Sequence, residues 1–317
     1  MRRALWVLGL VAPLVTGPLR AADVDPYLPN DSEIVISVNV TQLLESQLGK
    51  KHIAAALERQ LKDNAQAQGV LKELGLDPLK DFSRITLATV AAAPDAGLVI
   101  VTGKFNREKI ADAAAKFAAD HKDKLKIHKS SGQIIYESID ENQKSTFTAF
   151  ASDSTLVLSS SREQVSDVLA KSKVGSPKKE LADLIKRADA KQSAWLAALP
   201  SVTAAAGGFI PPEQKATVDN IEGFLAVLKV TADAKLEVSV INKDAQSAAE
   251  LAKMLNGYAG FAKLALPNAV KDNPGLAPLQ DVVNTLRIIA KTKVVTLSVE
   301  MTGTQLENAI KSPSKDK

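Results

Sequence analysis

The chain has no cysteine, which excludes disulfide staples, a thiol nucleophile, thiolate metal sites and a lipobox-type lipid anchor. Aromatic residues make up only 4% of its 317 residues, so it offers few rings on which sugars or single-stranded bases could stack. His52, His121 and His128 are the only histidines. A histidine-rich metal site or a Ser-His-acid triad would need them to converge, and each reads better as a surface or edge residue. No glycine-rich phosphate loop, dinucleotide fingerprint, His-Glu zinc motif, calcium loop or nucleophile elbow is present, so no metal and no cofactor is expected. Ser312-Pro-Ser-Lys315 matches a serine-x-x-lysine pattern, and Asn30 and Asn39 open glycosylation-type triplets. All three matches read as coincidence.

What is present starts with an address. Arg2 and Arg3 precede an apolar run from Ala4 to Thr16, broken by Gly9 and Pro13 and closed by the small residues Ala21 and Ala22. That order predicts an export signal too short for a confident membrane-spanning helix. The formal charge of +4 includes three arginines of this segment, so the remainder carries about +1, too little for a nucleic-acid field. Hydrophobic residues form 45% of the chain, enough for a core built from alanine, leucine and valine without disulfides.

Past the leader, Glu33 to Asn39 alternates Ile34, Ile36 and Val38 with polar residues and predicts a half-buried strand. A helix capped at Thr41 is expected next, with Leu44, Leu48, Ile53, Leu57 and Leu61 on one face. A strand pair at Arg84–Val90 and Leu98–Thr102, turning at Pro94–Gly97, then leads into a helix from Asn106 with Ile110, Ala114 and Phe117 inward. The same hairpin-then-helix order recurs at Ile221–Val230, Lys235–Ile241 and Asp244 onward, and in shorter form at Ser145–Phe150, Thr155–Ser159 and Ser161. Ser161 with Gln164, and Thr304 with Glu307, have capping-box spacing. Leu279 to Ile289 reads as an amphipathic helix and Val294 to Met301 as a strand.

These units predict an α+β fold, with antiparallel sheets carrying helices on one face and two duplicated ferredoxin-like lobes as the natural closure. The expected organisation is a signal at 1–22, an N-terminal lobe at 23–175, a C-terminal lobe at 176–310 and a disordered tail at 311–317. Lys171 to Lys179, with Gly175, Ser176 and Pro177, is the linker.

Few residues stand out as candidate ligand contacts. Lys122, Lys124 and Lys126 share a face with His128 if Lys124–Lys129 is a strand. They form either an anion-binding stripe or, the favoured reading, an edge strand guarded by lysines. Asp95, Asp153 and Asp233 recur at hairpin turns, where aspartate is simply a good turn residue. The apolar run Thr203–Ile210, before Pro211 and Pro212, reads as a buried crossing rather than a lid. Trp195 is the only tryptophan beyond the leader, and a cleft between the lobes beside it is the place expected to hold a ligand.

The stretch Tyr27-Leu-Pro-Asn-Asp-Ser-Glu-Ile-Val-Ile-Ser-Val-Asn39, with Leu76-Asp-Pro-Leu-Lys-Asp-Phe82 and Thr102-Gly-Lys-Phe-Asn106, resembles a family of exported bacterial proteins of unassigned function that often occur as paralogues. The resemblance implies export and a duplicated α+β fold; it carries over no functional residue. The expected function is a non-enzymatic binding or scaffolding protein of the bacterial cell envelope. Its partner would be another exported protein or a second copy of itself, with no nucleic acid. Two rivals remain. One is an exported hydrolase using carboxylates. The other is an accessory protein that keeps its N-terminal segment and touches the membrane only through it.

Overall fold

The computed structural model describes residues 22–63, 65–130, 132–170, 177–205 and 214–311. Residues 1–21 of the expected export signal, residues 171–176 of the expected linker, residues 206–213 of the apolar run and the expected tail from 312 lie outside the described residues.

The first half of the chain runs β1 (Ile34–Asn39), α1 (Val40–Glu45), a π-helical turn (Gly49–Ile53), α2 (Ala54–Asp63), α3 (Ala65–Leu74) and α4 (Pro78–Asp81). It continues through β2 (Phe82–Val90), β3 (Ala93–Gly103), α5 (Arg107–Asp120), β4 (Leu125–Ser130), β5 (Gln133–Ile139), β6 (Ser145–Ser152), β7 (Thr155–Ser159) and α6 (Arg162–Ala170). The second half holds α7 (Lys179–Ile185), β8 (Ala194–Ala198), α8 (Ser201–Ala205), α9 (Lys215–Val218), β9 (Ile221–Val230) and β10 (Ala234–Asn242). Then follow α10 (Ala245–Asp272), α11 (Ala277–Thr285), β11 (Arg287–Lys291), β12 (Val294–Met301) and α12 (Gly303–Lys311).

The α+β class and the antiparallel arrangement are as expected. Among the described residues, twelve strands form one sheet in the order β11-β12-β10-β9-β8-β1-β2-β3-β7-β6-β5-β4. Outward from the central β1·β8 pair, the halves read β1-β2-β3-β7-β6 and β8-β9-β10-β12-β11, and a helix follows each of β7 and β12. The first half adds the β4-β5 hairpin at its edge. Ferredoxin-like lobes would set the first and third strands of each half side by side and parallel, whereas the neighbours here all pair antiparallel. Each half starts as three consecutive antiparallel strands and then crosses by helix to its outer edge, through α5 to β4 and through α10 and α11 to β11. It then returns to set β7 against β3 and β12 against β10. β1 and β8 join the halves edge to edge.

Helices cover both faces of the sheet, not one. Side chains alternate along a strand, so adjacent Val240 and Ile241 of β10 point to opposite sides. Ile241 joins the core that includes Val35, Ala88, Ile100, Val157, Trp195 and Ala197 with α6 (Val165, Val168) and α7 (Leu181, Leu184, Ile185). Val240 instead packs with Val295 against Ala248, Leu251 and Ala252 of α10. The first core draws on strands and helices from both halves, so one apolar layer spans their junction. Within it, Ser37 is buried among these apolar residues and is satisfied by Thr86 Oγ1 at 3.1 Å.

Several local expectations shift for identifiable reasons. The first helix is capped by Asn39, whose side chain accepts from Gln42 N, rather than by Thr41, and its run is interrupted by the π turn. The capping box of α12 is Thr302–Gln305, where Thr302 Oγ1 accepts from Gln305 N and Gln305 Oε1 from Thr302 N, two residues before the expected pair. Ile289 lies on β11 because α11 stops at Thr285; pairing with β12 overrides the helical spacing. The β2-β3 turn falls before Ala93, ahead of Pro94–Gly97.

Candidate functional site

Helix α5 roofs an apolar space between itself and the sheet. Asn106 caps it by accepting from Lys109 N at 2.9 Å, and Ile110 and Ala114 are buried on its inner face. Below the helix, Val101 of β3, Leu156 and Leu158 of β7, Thr148 and Phe150 of β6 and Tyr136 of β5 face upward. At the centre of the helix stand two small residues, Ala113 and Ala114, where longer side chains would reach the sheet. A cavity of 430 Å³ remains, closed at the side by Leu74, Leu76 and Phe82. That volume lies in the range of small-molecule sites, and the lining is almost wholly apolar.

Aromatic rings stiffen one end of this space. Phe105 stands 6.0 Å from both Phe82 and Phe150. Arg107 lies over the Phe150 ring at 5.1 Å and pairs with Asp153 at 2.8 Å. Burial raises the Tyr136 hydroxyl above its ordinary pKa, with Arg107 acting in the opposite sense, so it stays a neutral donor. Gly103 permits the close packing beside it, since a Cβ there would lie 2.2 Å from the Asp81 carbonyl oxygen.

The lysine stripe is divided. Lys122 and Lys124 lie in the turn after α5, and only Lys124 reaches the cavity rim. Lys126 sits on β4 and contributes a favourable charge to Glu137. β4 is an edge of the sheet and all three lysines are exposed. His121 stacks on Phe117 with centroids 4.4 Å apart. His52 stands 3.5 Å from Glu307.

His128 Nε2 meets Glu137 Oε2 at 2.7 Å, while Ser145 Oγ donates to Glu137 Oε1 at 2.7 Å. The acid is central in this row, so the histidine does not face the serine as a nucleophilic triad requires. Hydrogen bonds from Ser145 and then His128 hold the Glu137 carboxyl below its usual range. At the hairpin turns, Asp153 is paired with Arg107, and Asp233 accepts from Gly303 N at 3.0 Å. Among the described residues, no group of three or more His, Asp or Glu is placed to hold a metal ion.

Trp195 stands on β8 at the junction of the halves, paired with Ser37 of β1. It lines a second, smaller cavity of 250 Å³ with Arg84, Thr86, Asp23 and Asp25, on the opposite face of the sheet from α5. The α5 cavity was not foreseen. Its signal lay in the Ala113-Ala114 pair on a helix otherwise inward with Ile110 and Phe117. It lay also in the concentration of Phe82, Phe105, Phe117, Tyr136 and Phe150 in one half of a ring-poor chain.

The described residues thus define a twelve-stranded antiparallel α+β protein with an apolar cavity under one helix. Comparison with protein-family models, with curated proteins and with solved structures finds no match.

Proposed function

We propose that this is an exported, non-enzymatic binding protein of the bacterial cell envelope, of the resembled paralogous family. Its ligand is an apolar or amphipathic small molecule seated beneath α5. The observation that carries this reading is the 430 Å³ cavity lined by Phe82, Phe117, Tyr136 and Phe150 with Lys124 at its rim. A linear acyl or isoprenoid group would bury its length against these walls, and Lys124 would meet a polar or anionic head outside. Export rests on the N-terminal pattern Arg2-Arg3 followed by the apolar run to Thr16. Among the described residues no helix is long and apolar enough to cross a membrane.

The carboxylate hydrolase reading has one observation in its favour. Asp25 is raised above its ordinary pKa by burial. Its neighbour Asp23 is exposed, so the two do not form a buried acid pair.

Titration of the purified protein with the fluorescent polyene fatty acid cis-parinaric acid tests the proposal. Saturable enhancement, reversed by decanoate, is expected at micromolar concentrations, on the order of −8 kcal/mol. Enhancement that fails to saturate, or none at all, would refute an apolar site.

A further inference from the structure

The smaller cavity at the junction of the halves combines features that structural packing leaves unexplained. Arg84 is a part-buried cation on β2. Its Nη1 donates to Ser37 Oγ at 3.1 Å and its Nη2 to the Ala190 carbonyl at 3.1 Å. Those bonds use only part of a five-donor fork whose geometry matches a carboxylate. Asp25, on the lead-in to β1, lines the same cavity and attracts Arg84, while its Oδ1 accepts from Tyr27 N at 2.9 Å. Trp195 is 6% exposed, and its Nε1 is buried without an acceptor. An indole donor in that position ordinarily finds a partner.

The charges select the ligand. A simple carboxylate would satisfy Arg84 and the indole but would meet repulsion from Asp25 and from Asp23 at the rim. A simple amine would satisfy the acids and leave Arg84 and Trp195 unmet. A zwitterion answers both demands, and 250 Å³ suits a small one. We propose that this cavity binds a free α-amino acid. Its carboxylate is held by Arg84 and Trp195 Nε1, its ammonium group by Asp25, and its side chain lies toward Val24 and Leu28. This site lies on the other face of the sheet from the α5 cavity, so its existence does not depend on the acyl-ligand reading.

The test is calorimetric titration of the full chain with each free L-amino acid in turn. For the tightest binder, the matched deamino carboxylic acid and the matched decarboxylated amine follow. The expected result is saturable binding of at least one amino acid, with each half-ligand weaker by about tenfold or more, as for the loss of one charged hydrogen-bonding partner. Arg84→Lys keeps the charge but loses the fork, and is expected to weaken binding by about tenfold. Trp195→Phe keeps the ring and loses only Nε1, for an expected loss of about fivefold. Both variants are checked for folding by circular dichroism. Three results would overturn the proposal. They are no amino acid binding at about 10 mM, a deamino analogue binding as tightly as its parent, or unchanged affinity in both folded variants.

Discussion

Replacing Ile185 with alanine probes whether the two halves share one core. Ile185 ends α7 in the second half and is 0% exposed. It belongs to the cluster that also contains Val35, Leu98, Ile100 and Val165 of the first half. Truncation removes three carbon atoms from a fully enclosed position. Neighbours on both sides of the β1·β8 junction are fixed by sheet pairing and can collapse only partly into the space. Buried isoleucine-to-alanine changes cost about 2–5 kcal/mol, and a site this enclosed belongs in the middle of that range, at about 3–4 kcal/mol. For a chain of this size the loss corresponds to a fall in Tm of about 4–6 °C. Urea denaturation followed by Trp195 fluorescence and by far-ultraviolet circular dichroism measures the change. The shared core requires both signals to move together in a single transition, in the variant as in the parent. A loss under about 1 kcal/mol, or a fluorescence transition that shifts while the dichroism retains an unshifted phase, would refute the reasoning.

Glu137→Gln should destabilise the protein by about 1–2 kcal/mol near neutral pH, because Glu137 accepts from Ser145 and contacts His128. The folded carboxyl is held below its usual value, so its contribution is complete above the ordinary carboxylate range. It disappears as pH falls through the folded pKa. Urea midpoints of parent and variant should therefore converge in acid, and a constant gap down to about pH 3 would contradict this. Asn106→Ala removes the cap of α5 and should cost about 1 kcal/mol. Because α5 roofs the cavity, the same change should weaken cis-parinaric acid binding; an unaltered titration would place the probe elsewhere.

Much of the strand content could be read from alternation alone. Ile34 to Asn39, Ile221 to Val230 and Thr155 to Ser159 lie where their patterns put them. Asn106, Ile110 and Ala114 likewise announced α5, since cap chemistry and helical spacing are local properties. The assembly of those pieces was less legible. The pairing of β1 with β8 joins residues some 160 positions apart, and no local pattern encodes it. Faces were also hidden: Val240 and Ile241 are chemically alike, and only tertiary packing sends one to α10 and the other to α7. The long α10 was foreseen only in its first turns, and Pro267 within it gave no sign that the helix continues to Asp272. Cavities are harder still, because they depend on what is missing between elements; the alanine pair at 113–114 acquires meaning only once the strands beneath it are placed.

The space beneath α5 is tested most directly by filling it. Ala113 lines the cavity without being fully buried, and Ala113→Phe directs a ring into the void. The measurement is the affinity of the variant for cis-parinaric acid beside that of the parent, with a thermal melt of both. A ligand cavity predicts binding weakened at least tenfold, about 1.4 kcal/mol, with Tm kept or raised because the ring occupies empty volume. Unchanged affinity, or a Tm lowered by several degrees as for overpacking of a filled core, would contradict it.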